Sequence, residues 1–244
     1  MLRAVEGIII SETNYGESSK IVNILTKEGI IGAIAKGAKS LKSPLRSYTQ
    51  KFTFGIFQIY YKENKLSIIK SVDVAKELSL IKQDLILISY MSYLSDLAHQ
   101  IMRQTGDYDL YNIYIDSILK INEGLNPMII CNIFEIKALD FLGVGINFNS
   151  CSKCGISKDI ITIDADIGGY LCKSCYINEV IYDEKTIKML RMYYLVEISS
   201  ITDLKISDEV INNINKFINN YYDRYTGLYL KSKNFLEKIT KQII

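Results

Sequence analysis

The sequence predicts an α+β chain, and three observations carry that prediction. Up to about residue 78, short β-branched and aromatic runs alternate with turn residues; beyond it, apolar residues recur at helical spacing. Two Cys-x₂-Cys pairs then interrupt the helical pattern at about residues 149–177. The expected organisation is a β-domain over residues 1–78, then a helical domain over residues 79–244 that carries the cysteine segment as an insertion.

Five runs make up the β-domain. Val5–Ser11 is β-branched, and Lys20–Thr26 alternates loosely through Ile21, Val22, Ile24 and Leu25. Ile30–Ala35 follows the turn residue Gly29, Phe52–Tyr61 is rich in aromatics, and Leu66–Val74 follows the polar turn Lys62–Lys65. Five short strands with tight turns suit a closed barrel, because closure removes unpaired edges. The five-stranded oligonucleotide-binding barrel (OB-fold) is the natural candidate.

The helical elements follow in order. Asp84, Ile88, Met91, Leu94, Leu97, Ala98 and Ile101 mark an amphipathic helix, and Tyr108–Ile121 continues helical. Asn126-Pro127 is a helix start, with Asn as cap and Pro at the first position; that helix runs to Phe141-Leu142, where Gly143 supplies a left-handed end. Helical periodicity returns over Glu184–Val196, resumes after Ser207 as a cap through Tyr225, and ends in a short helix over Asn234–Gln242.

In the insertion, Cys151-Ser-Lys-Cys154 and Cys172-Lys-Ser-Cys175 are separated by seventeen residues, long enough for a hairpin turning at Gly168-Gly169. Two such knuckles aim four thiolates at one point, the donor set of a structural Zn²⁺ ion with no open coordination position. Two disulfides, or free thiols, are the alternatives; the absence of a secretory signal favours a reducing compartment and hence the metal. The lone Cys131 lies in an apolar helical stretch and reads as a small buried hydrophobe.

Composition is that of a water-soluble globular chain, with 48% apolar and 23% charged residues, and no run approaches the ~18 unbroken apolar residues of a membrane span. Net charge is only +2, yet from Gly29 to Lys62 there is no acid and six cations. Lys36, Lys39, Lys42 and Arg46 recur every three or four residues in a segment with Gly37 and Pro44, forming a comb suited to phosphate oxygens; Lys51 follows. A solvated basic loop is the plainer alternative. Of the neighbouring rings, Phe52, Phe54 and Phe57 read as core, while Tyr48 and one of Tyr60 or Tyr61 are candidates for stacking against bases. No nucleophile–base pair is present, His99 is the only histidine, and no phosphate loop is complete, so no catalytic residue is assigned and a non-enzyme is expected.

These residues together resemble the bacterial RecO family of recombination mediators. The resemblance rests on Gly7-Ile8-Ile9-Ile10, on Asn14-Tyr15-Gly16-Glu17-Ser18-Ser19-Lys20-Ile21-Val22, and on Ala35 to Leu45 with its basic comb. Gln50-Lys51-Phe52-Thr53 and Leu139-Asp140-Phe141-Leu142-Gly143 before the cysteine pairs complete it. It implies an OB barrel, a helical domain with a zinc finger, and sequence-independent binding of single- and double-stranded DNA. It further implies annealing of complementary strands and loading of recombinase onto DNA coated by single-strand-binding protein (SSB), the RecF-pathway role. The implied partners are RecR and the C-terminal tail of SSB, in the cytoplasm at the nucleoid and without a membrane. Paired arginines common in the family are replaced here by Lys39-Ser40. The rival reading is a zinc-ribbon or OB module, or a protein scaffold, in transcription or translation.

Overall fold

The computed structural model describes residues 1–243, and the chain divides into two compact units, Met1–Asn112 and a second from Ile113 onward. In the first, β1 (Leu2–Tyr15), β2 (Ser19–Thr26), β3 (Gly29–Ala35), β4 (Phe54–Tyr60) and β5 (Ser67–Lys76) close into a barrel ordered β1-β2-β3-β5-β4. Neighbours are antiparallel except at the β3–β5 seam, where Ala33 faces Ser67 and Ile34 faces Ile68 in parallel. This is the five-stranded OB-like barrel expected from the strand count.

The first strand is longer than Val5–Ser11 because it serves two neighbours. Leu2 to Ile8 pair with β4, residues from Ile8 to Tyr15 pair with β2, and a register shift between Ile9 and Ser11 bends the strand between them. Val5, Ile9, Val22, Ile24, Ala33, Phe57, Ile59, Ile69 and Val72 fill the barrel interior. On β4 the alternation is plain: Phe57 and Ile59 are buried while Ile56 and Tyr60 face outward. Each fully buried side chain of this size stabilises the fold by ~1.5–3 kcal/mol.

A one-turn helix, α1 (Leu45–Tyr48), lies between β3 and β4; α2 (Ser79–Gln83) and α3 (Leu85–Thr105) follow β5, and α3 packs against β3. Asp84 is extended and caps α3, its Oδ1 accepting from Ile86 N at 2.7 Å and Leu87 N at 3.1 Å. The next helix, α4 (Leu110–Asn122), carries the chain onward.

In the second unit, α5 (Pro127–Phe141) is buried around most of its circumference, and α6 (Glu184–Leu195) and α7 (Asp208–Tyr225) pack on it. Its start is as predicted: Asn126 Oδ1 accepts from Met128 N at 3.0 Å and Ile129 N at 3.3 Å, with Pro127 in the first turn. Gly143 follows its end with φ 71°. Before α7 the expectation fails in one detail: Ser207 precedes the helix but its side chain makes no capping bond. The acids Asp208 and Glu209 in the first turn complement the exposed N–H groups instead. The terminal helix, α8 (Lys231–Ile243), starts earlier than Asn234 and is tied to α5 through a buried charge. Lys233 Nζ lies 3.5 Å from Glu135 Oε1, and Tyr222 on α7 donates to the Glu135 carbonyl at 2.9 Å. A carboxylate at this depth requires such a partner.

Candidate metal centre and nucleic-acid interface

The cysteine segment folds as two knuckles held by a hairpin. The strands β6 (Ile160–Asp164) and β7 (Gly169–Cys172) pair antiparallel, and Asp164 Oδ1 accepts from Ile167 N at 3.0 Å to tighten the turn. The first knuckle closes through Gly155 N to the Cys151 carbonyl at 2.8 Å; the second through Cys175 N and Tyr176 N to the Cys172 carbonyl, both at 3.1 Å. Ser152 N donates to the Tyr170 carbonyl at 2.8 Å, which docks the first knuckle on β7.

The result brings all four sulfurs within 4.8 Å of one another, with Cys154 Sγ and Cys172 Sγ 3.6 Å apart. A tetrahedral ion with metal–sulfur bonds of ~2.3 Å has sulfur–sulfur edges of ~3.8 Å, so the four thiols fit a single divalent ion. None of the five cysteines is in a disulfide. Cys151 and Cys172 are buried, whereas Cys154 faces solvent. Burial opposes ionisation of Cys151, but backbone hydrogen bonds at Cys172, Cys154 and Lys153 outweigh it and bring the thiol down to about 6. Around the sulfurs, the structure adds a contact that spacing alone did not disclose. Lys153 Nζ reaches from the first knuckle to the Cys175 carbonyl at 3.3 Å and to Glu179 Oε1 at 2.9 Å, while Glu179 Oε2 accepts from Ile177 N at 2.8 Å and Asn178 N at 3.1 Å. Cys131 is apart from this cluster and buried, and burial, then Glu135, push its thiol well up, opposed by Lys233.

The basic segment lies between β3 and α1 as a chain of turns. Ala38, Ser40, Ser43 and Arg46 donate backbone N–H bonds to Ala35, Gly37, Ser40 and Ser43 in succession, and Gly37 takes φ 69°, where a side chain would be strained. Ala38 is buried and pins the loop to the barrel core. Lys39 docks it on the β1–β2 turn: its N–H donates to the Ser18 carbonyl at 2.9 Å and its Nζ to the Gly16 carbonyl at 3.3 Å. Lys36, Lys39, Lys42 and Arg46 are all exposed. Tyr48 is 41% and Tyr60 45% exposed, while Phe52, Phe54 and Phe57 are buried. Alternation along β4 accounts for Phe57, whereas Phe54 sits at a register shift next to Gly55 and Phe52 precedes the strand with φ 67°.

Two features differ from the linear reading. Lys51 is half-buried; its Nζ donates to Ser92 on α3 at 3.0 Å and lies 4.6 Å from the Phe52 ring centroid, and burial lowers its pKa against the pull of Asp96. It is held by a side chain of α3, whereas the loop lysines Lys36, Lys39 and Lys42 are exposed. The acid-free stretch in sequence is also not acid-free in space: Glu12 on β1 pairs with Lys20 and accepts from Lys51 N at 3.4 Å, and Glu17 shares the turn on which Lys39 docks. Strand pairing brings distant residues together, and a sequence window cannot register that. Among the described residues, no helix is long and apolar enough to cross a membrane.

Comparison with known proteins decides the family. The family model described as recombination protein O N terminal matches residues 1–78, and that described as recombination protein O C terminal matches residues 82–234. The chain belongs to the RecO family. A RecO relative from Listeria monocytogenes serotype 4b, named DNA repair protein RecO, is 34% identical over 242 residues, spanning 97% of this chain and 94% of the relative. RecO proteins of the same name from Halalkalibacterium halodurans and Bacillus velezensis are 30% and 29% identical, covering 98% of this chain and 96% and 95% of their own.

Proposed function

We propose that this RecO-family chain works in recombinational DNA repair as a mediator that binds DNA without sequence preference and without bond chemistry. The observation that carries the reading is the exposed comb of Lys36, Lys39, Lys42 and Arg46, held on a loop that is pinned to an OB-like barrel and flanked by the exposed ring of Tyr48. Cations on such a loop displace condensed counterions from a phosphate chain, and the gain is independent of base identity. Two strands held against one cationic surface repel each other less and meet at a higher local concentration. Annealing of complements therefore needs no nucleotide. Double-stranded DNA offers the same phosphates to the same comb.

In this reading residues 1–78 are the nucleic-acid-binding domain and residues 79–244 the helical domain, with the cysteine finger at about 149–177. The finger holds one Zn²⁺ through Cys151, Cys154, Cys172 and Cys175. Bound zinc supplies cross-linking of the two knuckles and nothing to a reaction, because four thiolates leave no site for water. Family membership supports nucleic acid and recombination proteins as partners. We assign RecR and the acidic tail of SSB as the proteins through which recombinase is loaded onto coated DNA.

The test is annealing of complementary oligonucleotides by the purified protein at several salt concentrations, with no nucleotide present. Annealing that fades as salt rises is expected. The variant with Lys36, Lys39, Lys42 and Arg46 all replaced by Ala should lose it while keeping wild-type thermal stability. Unchanged annealing in that variant would remove the comb from the mechanism.

A further inference from the structure

Between α1, the segment entering β4, the end of β5 and α2 lies a cleft of about 310 Å³, within the size range of small-ligand sites. Its apolar wall includes the buried ring of Phe54, and the exposed ring of Tyr48 stands at its lip. Lys76 and Lys82 line it with one acid, Glu77. Lys82 is solvent-exposed, and the desolvation it does undergo lowers its pKa against the opposing pull of Glu77. Thr53 also lines the cleft: it is 3% exposed, and its Oγ1 has no hydrogen-bond partner. A hydroxyl buried in that state has lost its hydration without replacement, a deficit that a ligand donor or acceptor removes. A stacking ring, an apolar wall, an unsatisfied hydroxyl and two ammonium groups are the complement of a nucleotide.

We propose that this cleft receives one unpaired nucleobase of a bound DNA strand, with Tyr48 on its face, Thr53 Oγ1 on its edge and Lys76 and Lys82 toward the adjoining phosphate. The proposal rests on the DNA-binding reading above and deepens it. The basic loop leads directly through Arg46 into α1 and hence to Tyr48, so a strand following the comb reaches the lip of the cleft. Bases within a duplex have their faces and edges occupied and cannot enter, so the cleft adds affinity for single strands alone.

The chain contains no tryptophan, so a fluorescent base can be read without interference from indole. A single-stranded oligonucleotide carrying one 2-aminopurine is titrated with the full-length protein. Binding should change its emission, and the same base in a duplex should give no change. Tyr48→Ala should remove the change and weaken single-strand binding by about tenfold, whereas Tyr48→Phe should preserve both. Thr53→Val replaces an orphan hydroxyl by a methyl group; it should fold at least as stably and bind about three- to tenfold more weakly. The variant lacking Lys36, Lys39 and Lys42 should bind more weakly yet show the full change at saturation. Excess thymidine monophosphate separates the two sources of the same chemistry: displacement of the signal identifies a free or terminal nucleotide, and persistence an internal one. If strands bind but Tyr48→Ala and Thr53→Val leave affinity and emission untouched, the cleft serves something else, such as a peptide side chain, and the inference is overturned while the DNA-binding reading stands. If no oligonucleotide binds at low salt, both fall.

Discussion

Individual side chains set two measurable properties of this chain. Cys151 and Cys172 are the buried members of the sulfur cluster, so a change there cannot be compensated from solvent. Purified protein should carry about one zinc per chain by elemental analysis, and Cys151→Ser or Cys172→Ser should abolish it, because a neutral hydroxyl is a poor substitute for thiolate. A metal-free but fully folded wild type would refute the site. His99 sets a pH dependence. Burial lowers its pKa from the ordinary value, with Asp96 opposing and Arg103 reinforcing the shift. The unfolded chain therefore takes up this proton first as pH falls, so His99 contributes a loss of stability that begins near pH ~6.5 and stops below the folded-state pKa. Urea midpoints at about pH 7.5 and about pH 5.5 should differ less in His99→Gln than in the wild type.

At the level of elements, local signals were legible wherever a residue acts on its own neighbours. The Asn126 cap, the glycine end at Gly143 and the hairpin between the cysteine pairs all follow from short-range backbone chemistry. Asn126→Ala strips two N–H groups of α5 of their acceptor and should cost ~1 kcal/mol, read as a lower urea midpoint with an unchanged slope. A midpoint equal to wild type would show that solvent satisfies those donors equally well. Ser207 shows the limit of the same reasoning: the residue type suited a cap, yet the acids beside it take over the helix end. The double duty of β1 was not legible either. A strand's partners are set by closure of the whole barrel, and the residues Leu2–Ala4 and Glu12–Tyr15 carry no pattern that announces a neighbour.

For the molecule as a whole, a net charge of +2 conceals a local field, and salt dependence measures it. Each phosphate contact on a single strand contributes ~0.7 to the slope of log affinity against log salt. Removing the four cations of the comb should therefore make that slope shallower by up to ~3, and an unchanged slope would place the binding surface elsewhere. Composition, periodicity and the two cysteine pairs sufficed for the α+β class, the barrel, the four sulfur donors and the exposed comb. All of these are written in the order of residues along the chain. Tertiary structure alone decided that Lys51 is held by Ser92, that Glu12 and Glu17 stand near the cations, and that Thr53 and Tyr48 share a cleft with Lys82. The physical reason is that burial and charge pairing depend on which strands and helices meet across long loops, whereas periodicity and chelate spacing are properties of contiguous chain.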